Sequence, residues 1–135
     1  MRTPSQTVGP FYAIGLCRGP DNELDPDGVE LAGRLLDGRG EPIADGLVEL
    51  WDPAGRRWGR CGTEDGGRFS FRVPRVPHLE VTVFARGLLR HQLTRVYLEG
   101  EPPAGLERLV AEHGEGVLRF DIHMQGENAT PFFEH

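Results

Sequence analysis

His78-Leu79-Glu80 sets an imidazole and a carboxylate two residues apart. On a β-strand that spacing places both side chains on one face. Such a pair suits iron, zinc or manganese, but a working site needs a third or fourth protein ligand. The other histidines are His91, His113, His123 and His135. His91 and His123 lie in or beside strand-like stretches, so one reading is a triad of His78, Glu80 and His123. The plainer reading is a histidine at a strand start beside an exposed glutamate. Further on, Arg86 ends the same stretch just before Gly87. Its guanidinium fork suits a planar carboxylate; the alternative is a surface ion pair of small value. Tyr12 and Tyr97 are the only tyrosines. Phenolate ligation of ferric iron would need them near the histidines, whereas the apolar pattern around Tyr97 favours packing. No serine or cysteine sits beside a base in a recognisable motif, and no glycine-rich phosphate loop is present, so hydrolytic and nucleotide chemistry are not indicated.

The elements that must position these residues are strands. Val29, Leu31, Gly33 and Leu35 alternate with other residues, Leu47 to Trp51 forms a second apolar run, and Phe69, Phe71 and Val73 alternate in a third. Residues 78–85 place Leu79, Val81 and Val83 on one side and His78, Glu80, Thr82 and Phe84 on the other. Strands are also expected from about His91 to Leu98 and from Val117 to Met124, the latter with Leu118, Phe120, Ile122 and Met124 on one face. Residues 105–112 are the only helical candidate, stopped near Gly114. Nineteen glycines and eleven prolines supply the turns, among them Asp37-Gly38-Arg39-Gly40 and Thr63-Glu64-Asp65-Gly66-Gly67. The expected fold is all-β, an antiparallel β-sandwich with one short helix. Residues 1–28 show no sustained period; Pro4 and Pro10 bias their predecessors away from helix, so this stretch reads as an extended arm ahead of a sandwich domain over 29–135.

Composition narrows the function. At 135 residues the chain suits one domain with a real core. A net charge of −6 gives no basic footprint for nucleic acid. All fifteen basic residues are arginine. The sequence shows neither a signal-like apolar region nor an 18-residue apolar run, so no membrane span is expected and a cytoplasmic location is. Cys17 and Cys61 lack C-x-x-C spacing and read as two reduced, partly buried thiols, with a disulfide between them as the alternative.

Three stretches together carry a resemblance. They are Thr3-Pro4-Ser5-Gln6-Thr7-Val8-Gly9-Pro10-Phe11; Val83-Phe84-Ala85-Arg86-Gly87 with Thr94-Arg95-Val96-Tyr97-Leu98; and Arg119-Phe120-Asp121-Ile122-His123-Met124-Gln125-Gly126-Glu127, running on to Phe132-Phe133. In this order the sequence resembles the alpha chains of the protocatechuate 3,4-dioxygenase family, intradiol ring-cleaving enzymes. Leu47 to Trp51 and Asp65 to Phe71 resemble sandwich strands of the wider intradiol family. The resemblance implies an intradiol-type β-sandwich in a hetero-oligomer with a beta chain that holds non-haem Fe(III) through two tyrosines and two histidines. It implies protocatechuate and O2 as substrates, 3-carboxy-cis,cis-muconate as product, and a place in aromatic catabolism by the beta-ketoadipate route.

The same resemblance implies which residues act. Iron-binding chains carry a His-x-His pair where this sequence has His78-Leu79-Glu80, and tyrosines where it has Gly55-Arg56-Arg57-Trp58 and Val73-Pro74-Arg75-Val76-Pro77. No metal site and no catalytic residue is therefore expected in this chain alone; His78 is a vestigial ligand position and Glu80 occupies the second. Thr7, Gly9, Pro10 and Arg86 are implied as substrate-binding residues that line the pocket of the partner's iron. Loops after Trp51 and after Val73 are trimmed relative to the family. The alternative is a stand-alone transthyretin-like β-sandwich binding module, for which Asp37 to Gly46 and Asp65 to Phe71 would serve equally well.

Overall fold

The computed structural model describes residues 21–85, 91–99, 102–124 and 130–133; among them lie nine strands and one 3-10 turn, and alternating apolar residues build strands such as His78–Phe84 and Arg68–Val73. The strands are β1 (Val29–Leu36), β2 (Leu47–Asp52), β3 (Arg57–Gly62), β4 (Arg68–Val73), β5 (His78–Phe84), β6 (Gln92–Tyr97), β7 (Glu112–His113), β8 (Val117–Arg119) and β9 (Ile122–His123). They form two layers. One sheet runs β4-β1-β8-β7, with β9 also on β1; the other runs β3-β2-β5-β6.

The core lies between the layers. Leu31, Leu35, Phe69, Phe71, Val73, Leu118, Phe120 and Ile122 from the first sheet meet Val48, Leu50, Leu79, Val81, Val83 and Val96 from the second. Each such side chain contributes roughly 1.5–3 kcal/mol relative to exposure. Leu24 joins this core from the stretch preceding β1. Its backbone N–H donates to Arg72 at 2.9 Å while Arg60 donates to the Asp21 carbonyl at 2.9 Å, so residues 21–24 bridge β4 and β3 at the open side of the sandwich.

The sheets are mostly antiparallel, as expected, but β1 pairs in parallel with both β8 and β9. The single strand expected over 117–124 is split. At the break the Phe120 N–H bonds to the Ala32 carbonyl at 2.9 Å, and the Asp121 carboxylate accepts the Arg34 N–H at 2.9 Å. A side chain thus replaces one rung of the ladder. Gly33 is required there, because a Cβ on it would sit 1.8 Å from the Phe120 carbonyl oxygen.

Two further expectations change. The helix expected over 105–112 is only a 3-10 turn, Glu107–Leu109. Leu106 supplies no side-chain cap, and Ala111 donates to the Tyr97 carbonyl at 3.0 Å, which draws the chain onto β6. Cys61 is disulfide-bonded and not a free thiol; Cys17, the other cysteine in the sequence, lies outside the described residues. Strand β3 is an addition to the expected set: its inward residues are Gly59 and Cys61, and the glycine breaks the apolar alternation. Among the described residues no helix is long and apolar enough to cross a membrane.

Candidate functional site: the outer face of the four-stranded sheet

Strand β5 is central in its sheet, between β2 and β6. Leu79, Val81 and Val83 are buried to 0–1% exposure and fix the strand's rotation. His78, Glu80, Thr82 and Phe84 are thereby turned to the outer face, half-buried. The face on which the sequence places the His-x-Glu pair is therefore the observed one.

Antiparallel pairing then decides what the pair meets. Opposite His78 is Tyr97, and opposite Glu80 is Arg95. The His78 and Tyr97 rings lie 5.8 Å apart between centroids, tilted by 46°. Arg95 Nη2 donates to Glu80 Oε2 at 2.9 Å, and Nη1 approaches the Tyr97 hydroxyl at 3.4 Å. The Arg95 guanidinium also lies 5.7 Å from the Phe133 ring centroid. The Tyr97 hydroxyl and the Glu80 carboxylate raise the Arg95 pKa above its already high value. Arg95 is the residue that spacing alone missed. The signal was present as an opposite charge on the next strand, but pairing it with Glu80 requires the register.

This donor set does not fit a metal ion. The Glu80 carboxylate is neutralised by a guanidinium at ion-pair distance, and a cation in that position repels a second one. His123 is not brought in: it lies on β9, bonded to the other sheet, with its N–H on the Thr130 hydroxyl at 2.8 Å. Among the described residues no group of three or more histidine, cysteine, aspartate or glutamate side chains is arranged to hold a metal. His91 stacks near Phe84 at 5.4 Å, and His113 faces the Leu98 carbonyl at 3.3 Å.

Two open clefts lie away from this pair. One, of about 220 Å³, is lined by Pro74, Arg75, Leu98 and His113 among others; the second, of about 360 Å³, by Glu107, Arg119, Asp121 and His123 among others. Neither includes His78 or Glu80. The expected substrate-side residues Thr7, Gly9, Pro10 and Arg86 all lie outside the described residues.

No protein-family model matches the chain. Curated relatives do. It is 32% identical to the protocatechuate 3,4-dioxygenase alpha chain of Burkholderia cepacia over 191 aligned positions, covering 98% of this chain and 97% of that one. It is 29% identical to the alpha chain from Pseudomonas putida over 192 positions, covering 98% and 96%. The 191 aligned positions exceed the 135 residues here, so the alignment carries gaps and this chain is the shorter. Among solved structures, the dioxygenase domain of a dioxygenase carbohydrate-binding protein fusion from Streptomyces sp. SirexAA-E superposes with a TM-score of 0.62 at 20% identity, covering 92% of this chain and 99% of that domain. Hydroxyquinol 1,2-dioxygenase from Pseudomonas putida DLL-E4 gives 0.63 at 18% identity, covering 93% and 67%. These structures share the fold, and the closer sequence likeness carries the assignment: the chain belongs to the protocatechuate 3,4-dioxygenase alpha-chain family of intradiol dioxygenases.

Proposed function

We propose that this chain is the alpha, non-iron-ligating subunit of a heteromeric protocatechuate 3,4-dioxygenase working in the cytoplasm. The complex takes protocatechuate and O2, inserts both oxygen atoms between the two ring hydroxyls, and forms 3-carboxy-cis,cis-muconate in aromatic catabolism. Intradiol dioxygenases use non-haem Fe(III), and in this reading the beta chain holds it. The observation that carries the proposal is the pairing of near-full-length alpha-chain similarity with a donor set at His78 and Glu80 committed to Tyr97 and Arg95.

In this reading the arm expected over 1–28 serves the partner and substrate through its part before Asp21, because residues 21–24 pack onto β3 and β4 of the sandwich expected over 29–135. Thr7, Gly9 and Pro10 line the substrate, the glycine-proline pair letting bare backbone approach it. Arg86 receives the substrate carboxylate in a charge-assisted bond.

The test is to express the chain alone and with its cognate beta chain, and to follow oxygen uptake with protocatechuate. Activity only in the presence of the beta chain is expected. Activity of the chain alone would contradict the subunit reading; an inert chain with no partner would favour a binding module. In the active complex, Arg86→Ala is expected to weaken protocatechuate use by roughly 10- to 100-fold, the scale of a lost hydrogen bond to a charged group. Catechol, which lacks the carboxylate, should be little affected. Equal losses on both substrates would remove Arg86 from that role.

A further inference from the structure

We propose that Arg95 is a guard that keeps a metal ion off the outer face of β5 and β6, and that without it His78, Glu80 and Tyr97 hold a first-row transition-metal cation. The exclusion concerns this chain by itself. Only its consequence, that iron in a complex is confined to the beta chain, rests on the subunit reading above.

Register sets four side chains in a square on that face. His78 and Glu80 stand on β5, with Tyr97 and Arg95 directly opposite them on β6. Cross-strand neighbours have Cβ atoms roughly 4.5–5.5 Å apart and diagonal ones roughly 7–8 Å, within reach of long side chains. Three corners carry imidazole, carboxylate and phenol, nitrogen and oxygen donors of the kind that iron and zinc accept. The fourth carries a permanent cation. Its Nη2 donates to Glu80 Oε2 at 2.9 Å and its Nη1 to the Tyr97 hydroxyl at 3.4 Å. Arg95 thus stands where a cation between carboxylate and phenol would stand. It takes up the Glu80 oxygen that a metal needs and repels a second positive charge.

Two observations separate a guard from an ordinary surface bridge. Arg95 Nε is buried without a hydrogen-bond acceptor. That desolvation cost is set against the small value of a half-exposed ion pair, so stability alone is a poor reason for an arginine here. The face is also within reach of an ion from solvent, since the Glu80 side chain is 44% exposed, while the Phe133 ring, 5.7 Å from the guanidinium, keeps Arg95 from swinging aside.

The experiment titrates the full chain with Zn(II) by calorimetry and, separately, with Co(II) by visible absorption. Arg95→Met keeps the stem and removes the charge. It is expected to bind either ion about tenfold or more tighter than wild type, the scale of removing a unit charge beside a divalent ion, and to release the Tyr97 phenolic proton to solvent. Arg95→Lys keeps the charge and should bind no better than wild type. Adding Glu80→Gln, His78→Ala or Tyr97→Phe to Arg95→Met should each abolish the gain, which separates this face from the other histidines of the chain. Circular dichroism and urea midpoints check folding, and Arg95→Gln carries the test if Arg95→Met does not fold. Failure of both to fold makes Arg95 a stability residue and overturns the proposal. Unchanged metal affinity in the folded variant, or a gain that survives Glu80→Gln, also overturns it. Those results leave the subunit reading standing, which oxygen uptake with the beta chain decides. A gain in metal binding with no active complex would sink the subunit reading and keep the guard.

Discussion

Removing the Glu80–Arg95 pair tests whether the outer face of β5 is held by a salt bridge or poised for a metal. Glu80→Gln keeps the side-chain shape and deletes the charge; Arg95→Met keeps the apolar stem. The ion pair is short, 2.9 Å, but its partners are 44% and 34% exposed, so solvent screens it. Exposed pairs contribute about 0.2–1 kcal/mol, and the Tyr97 and Phe133 contacts pre-position the guanidinium, favouring the upper half of that range. Arg95 also lies over the Phe133 ring, a contact of about 0.5–1 kcal/mol at an exposed site. Glu80→Gln should therefore cost about 0.5–1 kcal/mol and Arg95→Met about 1–2 kcal/mol, with a coupling of about 0.5–1 kcal/mol in the double-mutant cycle. Urea unfolding measures this, and the coupling should shrink on going from 0.1 to 1 M salt as the Debye length falls from about 10 to 3 Å. Excess Zn(II) or Fe(II) should leave the wild-type unfolding midpoint where it is, since only a ligand that binds the folded state raises it. A coupling of zero at low salt would refute the salt bridge. A metal-induced rise in wild-type stability would refute the claim that Arg95 has taken the metal's place beside Glu80.

Gly33→Ala should be among the costliest small substitutions. The new methyl overlaps the Phe120 carbonyl, so β1 must part from the 120–121 crossing and lose the Phe120 and Asp121 hydrogen bonds. About 2–4 kcal/mol is expected by thermal or urea unfolding, at roughly 1 kcal/mol per bond plus repacking; a change below 0.5 kcal/mol would show that the crossing is not rigid. Acid should destabilise the fold through two turn carboxylates. The Asp27 N–H first, then Arg57, lowers the Asp25 pKa, and the Glu41 and Arg39 N–H groups lower that of Asp37. Their stabilisation is complete above the ordinary value of 3.8 and is lost as pH falls through the lower folded values. Asp25→Asn/Asp37→Asn should therefore flatten the decline in urea midpoint below about pH 4; an unaltered decline would place acid sensitivity elsewhere.

Much of this fold is legible because burial writes a period of two into the strands. Leu79, Val81 and Val83 alternate so clearly that the outward turn of His78 and Glu80 follows from sequence. Where the inward residue is glycine, the period vanishes, as at Gly59 in β3. Where a side chain replaces a backbone rung, as Asp121 does on Arg34, one expected strand becomes two. The 105–112 stretch has helical composition, but Ala111 bonds to Tyr97, a partner far away in sequence, and a short uncapped segment yields to that contact. Pairing is the other hidden quantity. His78 and Glu80 suggest a half-site until the register sets Tyr97 and Arg95 opposite them. Trp51 and Trp58 likewise read as separate residues until β2 and β3 align them. The alpha-chain resemblance rests on motif order along the chain, which does not depend on register.

The most direct measurement of the central claim is iron per chain. Purify this chain alone and in complex with its beta chain, then measure bound iron together with the visible tyrosinate-to-iron absorption. The expected result is no iron and no colour in the isolated chain, and one iron per alpha-beta pair in the coloured complex. Stoichiometric ferric iron with tyrosinate absorption in the isolated chain would contradict the account.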